Sequence, residues 1–319
     1  MVLMSDYNKI IDLELTQLSG QTSQPPWKQE NDEYREVVIV EGVPVLFKAH
    51  ELNKSIEFSY EFPLNSDFHI KKSILDKKAS EIFDLDFNLS KFYKYLNQDE
   101  KLAEMTSFCE GLRLFLAKDK FESILSSICS ANNSIARWTK SIDLIKEKWG
   151  KSFEFPSGTF YGVPSLDAII NSFEDDQEEF NSCIFSDISL CENNLKACGV
   201  GYRAPYMKKA SEILSLEMDF AEISKMSYDE AFDTILKLPG VGPKVADCIL
   251  LYGFNFREAF PSDVWIKRIV SHLYFEGKDI KVPKIREFGM EEFGDYAGYV
   301  QLYLFHYARR SGLMNELKK

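Results

Sequence analysis

Residues Ser227–Phe254 read SYDEAFDTILKLPGVGPKVADCILLYGF, and this stretch decides the fold. Ser227 and Glu230 stand three apart, the spacing of a capping box, so a helix is expected to start at Tyr228 and run to about Lys237. Leu238-Pro239-Gly240-Val241-Gly242 then makes a tight turn, its two glycines permitting positive φ and close backbone approach. Pro243 suits the first turn of a second helix, where a missing N–H leaves nothing unsatisfied. The pattern is a helix-hairpin-helix at 228–254. Its turn points the free N–H groups of Gly240, Val241 and Gly242 at a helix N-terminus, an arrangement that binds phosphate. An ordinary helical hairpin could use glycines for packing alone, but L-P-G-V-G is more specific than packing requires.

Lys244 falls in the first turn of the second helix, where the helix dipole disfavours a cation by ~0.3–1 kcal/mol. The same field, with partial burial, is expected to lower the amine's pKa and leave more of it free as a nucleophile. A surface lysine touching phosphate is the plain alternative. Asp263 stands 19 residues further on, after Phe260-Pro261-Ser262 and before the helical pattern VWIKRIVSHLYF. It reads as an N-cap, and a cap can also be chemical, because backbone N–H groups would hold the carboxylate ionised and aimed. A poised lysine on a phosphate-binding hairpin, followed by a capping aspartate, has few innocent explanations.

The N-terminal third reads as strands. Arg35–Ile39 is short and β-branched, Glu41-Gly42 suits a tight turn, and Val43–Lys48 returns as a hairpin partner. Pro44 is expected to place that second run at a sheet edge. In Ser55–Phe62, the residues Ile56, Phe58, Tyr60 and Phe62 fall on one face. From about residue 88 the pattern is helical to the end, interrupted by two irregular stretches, Phe153–Pro164 and the acidic Glu174–Glu179. The fold class is therefore α+β, a small antiparallel sheet followed by a larger helical body.

The chain of 319 residues is 45% hydrophobic, enough for a sizeable core and about two domains. It carries no apolar run of membrane-spanning length. The start, MVLMSDYNKI, lacks the order of a secretory signal and the arginines of a transit peptide. An intracellular protein is expected, in the cytoplasm or nucleoid of a prokaryote or the nucleus of a eukaryote. Six scattered cysteines fit buried thiols better than a disulfide framework, and Cys183, Cys191 and Cys198 lack the tight pairing of a metal site. The net charge of −12 argues against simple electrostatic capture of nucleic acid. Residues 1–199 hold 21 Lys and Arg against 33 Asp and Glu, whereas residues 200–319 hold 17 of each. Backbone N–H groups and a few arginines can still hold phosphates on a protein that is acidic overall.

LPGVGPKVADCI with the later P-S-D resembles the helix-hairpin-helix DNA glycosylase superfamily (HhH-GPD), and within it the 8-oxoguanine DNA glycosylase/abasic-site lyases. Further stretches carry the likeness: SANNSIAR at Ser130–Arg137, YGVPSL at Tyr161–Leu166, GYRA at Gly201–Ala204 and GYVQLYLF at Gly298–Phe305. It covers about residues 100–310 well and the sheet weakly. The resemblance implies an N-terminal antiparallel sheet domain of the TATA-binding-protein type at 1–98. A mainly helical, two-lobed glycosylase domain would follow at 99–319.

The resemblance also implies roles. Lys244 would attack C1′ of the extruded nucleotide, with Asp263 stabilising positive charge on sugar and lysine. Cys248 and Phe305 would sandwich the damaged base, Gln301 would read its Watson–Crick edge, and the Gly20 carbonyl would meet its N7–H. Asn132, Arg137 and Arg203 would contact the cytosine left behind, while Tyr202 wedges into the duplex. The implied partner is double-stranded DNA containing oxidised guanine, bound by a monomer without cofactor or metal. The spacing agrees, because Lys244 and Cys248 are i, i+4 on one helix, as are Gln301 and Phe305 on another. Two departures stand out. Gly20-Gln21 is followed by Thr22-Ser23-Gln24-Pro25-Pro26-Trp27, where many members have Phe-Arg-Trp. Trp265 occupies a position where a phosphate-contacting histidine is common. No cysteine follows position 248, which disfavours the iron–sulfur branches. A lysine-type glycosylase for oxidised pyrimidines, or a non-catalytic DNA-binding hairpin, are the rival readings.

Overall fold

The computed structural model describes residues 3–7, 10–52, 55–172 and 194–317. Five strands, β1 (Leu3–Tyr7), β2 (Lys28–Glu30), β3 (Glu33–Val40), β4 (Val43–Leu52) and β5 (Ser55–Glu61), form one antiparallel sheet in the order β1-β5-β4-β3-β2. The turn between β3 and β4 holds Glu41 at φ 50° and Gly42 at φ 80°, the paired positive angles that let a two-residue turn follow the strand twist. Ile56, Phe58 and Tyr60 alternate into the core as expected, and Phe62 packs beside them just past the strand end.

Pro44 does not mark an edge: β4 lies between β5 and β3. Pro44 pairs with Ile39 of β3, and pairing with β5 begins only at Leu46, so the strand is central but the proline sits where no ladder bond on its other side is lost. Helix also appears earlier than expected, first at Leu13–Leu18 and again at Lys72–Ile82, where Leu75, Ala79 and Ile82 cover the sheet. This helix pins Phe83 against Trp27 and Phe115, with ring centroids 5.1 and 5.4 Å apart. Phe153–Pro164 is not irregular. It contains a hairpin of β6 (Ser152–Phe155) and β7 (Gly158–Tyr161), and Phe155 packs against Val37 and Leu46 of the main sheet.

Among the described residues, two large apolar cores result beside that small cluster. One lies under the sheet, from Ile11 to Phe115; the other runs through the helical body from Phe87 to Ala308. The helix Ala297–Arg310 is the axis of the second, with Tyr299, Val300, Leu302, Tyr303 and Leu304 fully buried. Among the described residues no helix is long and apolar enough to cross a membrane. Cys109, Cys129, Cys198 and Cys248 are buried free thiols. Glu174–Glu179, Cys183 and Cys191 lie outside the described residues.

Candidate active site

The hairpin forms as its residues dictate. Ser227 and Glu230 make the reciprocal capping box, and the first helix runs Tyr228–Ile235, ending two residues before Lys237. Gly240 takes φ 79°, but Gly242 is extended at φ −99°, so only the first glycine needs left-handed freedom. A Cβ on Gly240 would stand 2.9 Å from the Tyr206 Cβ, so the turn packs directly on the segment that carries Tyr202. Gly240 and Gly242 are exposed and Val241 is partly so. Pro243 opens the helix Pro243–Cys248, which continues as a wider π turn through Gly253.

One cavity of about 310 Å³ collects residues from five separate parts of the chain, the segment Ser130–Trp138 among them. Lys244 and Cys248 come from the hairpin's second helix, Asp263 and Trp265 from the next helix start, Phe305 from Ala297–Arg310, and Gly20 from the turn after Leu13–Leu18. Gly20 adopts φ 71°, where a larger residue is strained, and a Cβ there would stand 2.3 Å from Ile135 Cδ1 and have to displace it. Asp263 Oδ1 accepts from the N–H groups of Trp265 and Ile266, both at 2.9 Å, which is the expected N-cap. Arg268 lies 5.1 Å over the Trp265 ring.

Lys244 stands one turn before Cys248 on the helix Pro243–Cys248, and both line the cavity. Its amine is held above its ordinary value, by Cys248 first and by Asp263 and Asp247 as well, against the desolvation that lowers it. This corrects the expected lowering: the helix dipole and burial are outweighed by the neighbouring Cys248, Asp263 and Asp247. The Cys248 thiol is itself pushed up, chiefly by burial. Behind the pair, Asp247 is fully buried and takes Arg286 Nε at 2.7 Å and Nη2 at 3.1 Å, together with the Tyr228 hydroxyl. That network ties both hairpin helices to the helix Val282–Phe293. Nothing local in the sequence announces it, since Arg286 lies 39 residues away.

Gln301 does not line the cavity; it is 1% exposed and reaches it through Gln21, whose Oε1 accepts from Gln301 Nε2 at 3.1 Å. Asn132 is an exposed residue at φ 50°, and it is the neighbouring Asn133, with Ser130, Ser134 and Ile135, that lines the wall. Arg137 is exposed near the start of the helix Ile135–Trp149, and Tyr202 is 56% exposed. Arg203 is buried instead. It donates from Nε to Ala131 O at 2.8 Å, from Nη2 to Asn132 O at 2.9 Å and from Nη1 to Val200 O at 3.2 Å, bracing the Asn132 turn. Thr22, Trp138 and Tyr252 also line the cavity and were not foreseen, although Tyr252 continues the four-residue step Lys244, Cys248. Among the described residues no cluster of His, Cys, Asp or Glu could hold a metal ion.

A helix-hairpin-helix beside a cavity that holds a lysine and an N-capping aspartate is the arrangement of a helix-hairpin-helix DNA glycosylase. Residues 125–294 match the HhH-GPD superfamily of base excision DNA repair proteins, and residues 2–124 match the N-terminal domain of 8-oxoguanine DNA glycosylase. A probable N-glycosylase/DNA lyase of Methanothermobacter thermautotrophicus is 45% identical, over 97% of this chain and 96% of its own length. An N-glycosylase/DNA lyase of Arabidopsis thaliana is 29% identical over 72% of this chain and 62% of its own. The fold matches Clostridium acetobutylicum 8-oxoguanine glycosylase/lyase, solved with double-stranded DNA containing cytosine opposite 8-oxoguanine. The TM-score is 0.76 at 27% identity, covering 97% of this chain and 98% of that one. The chain belongs to the HhH-GPD superfamily of base excision repair proteins, in its 8-oxoguanine glycosylase/lyase branch, and is a DNA glycosylase and abasic-site lyase.

Proposed function

We propose that the enzyme excises 8-oxoguanine opposite cytosine in double-stranded DNA and then cleaves the strand, with Lys244 as the nucleophile for both steps. The observation that carries this reading is the convergence of Gly20, Lys244, Cys248, Asp263 and Phe305 on one cavity. The target carbon is unreachable inside a stacked duplex, so the nucleotide must be extruded. Lys244, having shed a proton, forms the Nζ–C1′ bond as the C1′–N9 bond breaks, and the departing base takes the electron pair and a proton. Asp263, held by two backbone N–H groups, offsets the positive charge that develops on sugar and amine. Release of O4′ with a proton gives the C1′=N imine. The imine acidifies C2′, whose proton leaves as the C3′–O bond breaks and the 3′-phosphate departs.

In this reading Cys248 and Phe305 flank the base, Gln301 reads its edge, and Gly20 offers its carbonyl to N7–H. Gly240, Val241, Gly242 and Trp265 hold phosphate. Tyr202 fills the gap in the duplex, and Asn132, Arg137 and Arg203 face the cytosine. Because Arg203 commits most of its donors to carbonyls, Arg137 supplies the freer guanidinium for the cytosine's acceptors.

Borohydride trapping on an 8-oxoguanine·cytosine duplex tests the nucleophile. The wild-type chain is expected to become covalently attached to the DNA, and Lys244→Gln to bind lesion DNA without attachment. Trapping retained by Lys244→Gln would overturn the assignment. For the opposite base, Arg137→Ala is expected to slow excision opposite cytosine about tenfold and to narrow the preference over adenine, the loss of one charged hydrogen bond. An unchanged preference would contradict it.

A further inference from the structure

Gln301 is buried, and its two amide atoms have different fates. Nε2 donates to Gln21 Oε1 at 3.1 Å, whereas Oε1 has no hydrogen-bond partner. The polarity of that bond is not free to reverse. Gln21 Nε2 points the other way and donates to the Gly20 carbonyl at 3.3 Å, so only the Gln21 oxygen remains for Gln301. A carboxamide has one oxygen and one nitrogen, so fixing one end of a chain of two carboxamides fixes the other. The chain therefore runs from the Gly20 carbonyl, through Gln21, to Gln301, and it ends in an acceptor. A buried acceptor without a partner is costly, and in a native protein it marks a place where a donor is still to come. Phe305, one turn along the same helix, and Gln21 itself both line the cavity.

We propose that Gln21 is a specificity-positioning residue: it locks the Gln301 carboxamide so that oxygen, not nitrogen, is the atom presented to a base, which selects a keto purine edge over an amino purine edge. A guanine-type edge carries N1–H and N2–H donors that this oxygen can accept. An adenine-type edge would set the lone pair of N1 against it. The proposal rests on the reading that the cavity receives an oxidised purine, and it assigns to Gln21, in the divergent Gly20–Trp27 segment, a role that composition alone did not suggest.

The test compares single-turnover excision of 8-oxoguanine and 8-oxoadenine from otherwise identical duplexes by the full-length chain. Reading the ratio within each variant cancels any loss of folded protein. Gln21→Leu removes the lock and lets the Gln301 amide turn over, so the 8-oxoguanine:8-oxoadenine ratio is expected to fall about tenfold. Gln21→Glu keeps an oxygen facing Gln301 Nε2, and its ratio is expected to stay within about threefold of wild type. An unchanged ratio in Gln21→Leu, or equal losses in both variants, would overturn the proposal. So would faster 8-oxoguanine excision by Gln21→Leu, which would make Gln21 a placeholder that the base displaces. If the wild-type chain releases no 8-oxoguanine, the proposed function itself fails, and no variant is needed to see it.

Discussion

At Lys244, Cys248, Asp263 and Asp247 favour an ammonium whereas desolvation disfavours it, and the former prevail. The amine must nevertheless lose a proton before it can bond to carbon. A base whose pKa is raised is protonated further up the pH scale, so the reactive fraction grows as pH rises and stays small until the raised value is passed. In the free protein, acylation of Lys244 followed by peptide mass spectrometry is expected to reach half its limiting rate at a higher pH than acylation of a lysine in a short unstructured peptide. Removing the largest contributor, in Cys248→Ala, should move that midpoint down, and Asp263→Asn should move it less. A midpoint below that of the peptide lysine would restore the lowered amine expected from the helix dipole alone. That expectation went astray because it weighed only the dipole and burial: Cys248, one turn along the same helix, contributes most, and Asp263 adds to it once two helices pack.

The hairpin shows what local sequence can and cannot carry. The capping box, the Gly240 turn, Pro243 and the Asp263 cap are relations across a few residues, and each forms where the letters place it. The helix Lys72–Ile82 was overlooked because Lys71 supplies no side-chain cap and its apolar face is narrow. The short β6–β7 hairpin lies in strands of only four residues each, and the central position of β4 is a fact of topology that Pro44 cannot report. Within the site, Lys244, Cys248, Asp263 and Phe305 were legible, but Gln21, Asn133 and the Asp247–Arg286 brace depend on contacts between distant segments. The turn itself can be tested as an element. Gly240→Ala must hold an alanine at φ 79°, which costs ~1–2 kcal/mol, and must push Tyr206 away. Duplex affinity measured by fluorescence anisotropy is expected to fall about tenfold, because the phosphate-facing turn and the Tyr202 segment shift together. Unchanged affinity would remove the turn from the DNA contact.

Four buried charges join the sheet to the helical body. Glu36 on β3 takes Lys146 at 2.8 Å and Lys118 at 3.7 Å, while Glu122 takes Lys118 in close contact and Lys146 at 3.7 Å. Against burial, Lys118 and Lys146 hold the Glu36 carboxyl below its ordinary range. Burial alone would lower the Lys146 amine, but Glu36 and Glu122 keep it above its usual value. Glu36 and Lys146 are therefore a charged pair at neutral pH. A carboxylate whose folded pKa is depressed contributes stability above its unfolded value, and that contribution is lost as pH falls through the folded one. Lys146→Met leaves two buried carboxylates facing one ammonium and is expected to destabilise the chain by about 3–5 kcal/mol in urea unfolding at pH 7. Adding Glu36→Gln should recover much of that loss by restoring the balance of charge. Failure of the double variant to recover stability would mean that packing, not charge pairing, fastens the junction. The consequence reaches the cavity, because the segment that follows Gly20 and Gln21 is pinned beside Lys118. Thr22 Oγ1 donates to Phe115 O at 2.9 Å, Gln24 Nε2 to Leu116 O at 2.6 Å, and Gln24 Oε1 accepts from Lys118 N at 3.3 Å. Loosening the quartet should thus displace the base-facing wall more than the Lys244 helix, which rests on its own Asp247–Arg286 brace. Folded Lys146→Met is accordingly expected to lose more 8-oxoguanine excision than abasic-site trapping, and equal losses in the two assays would show that the junction does not set the wall.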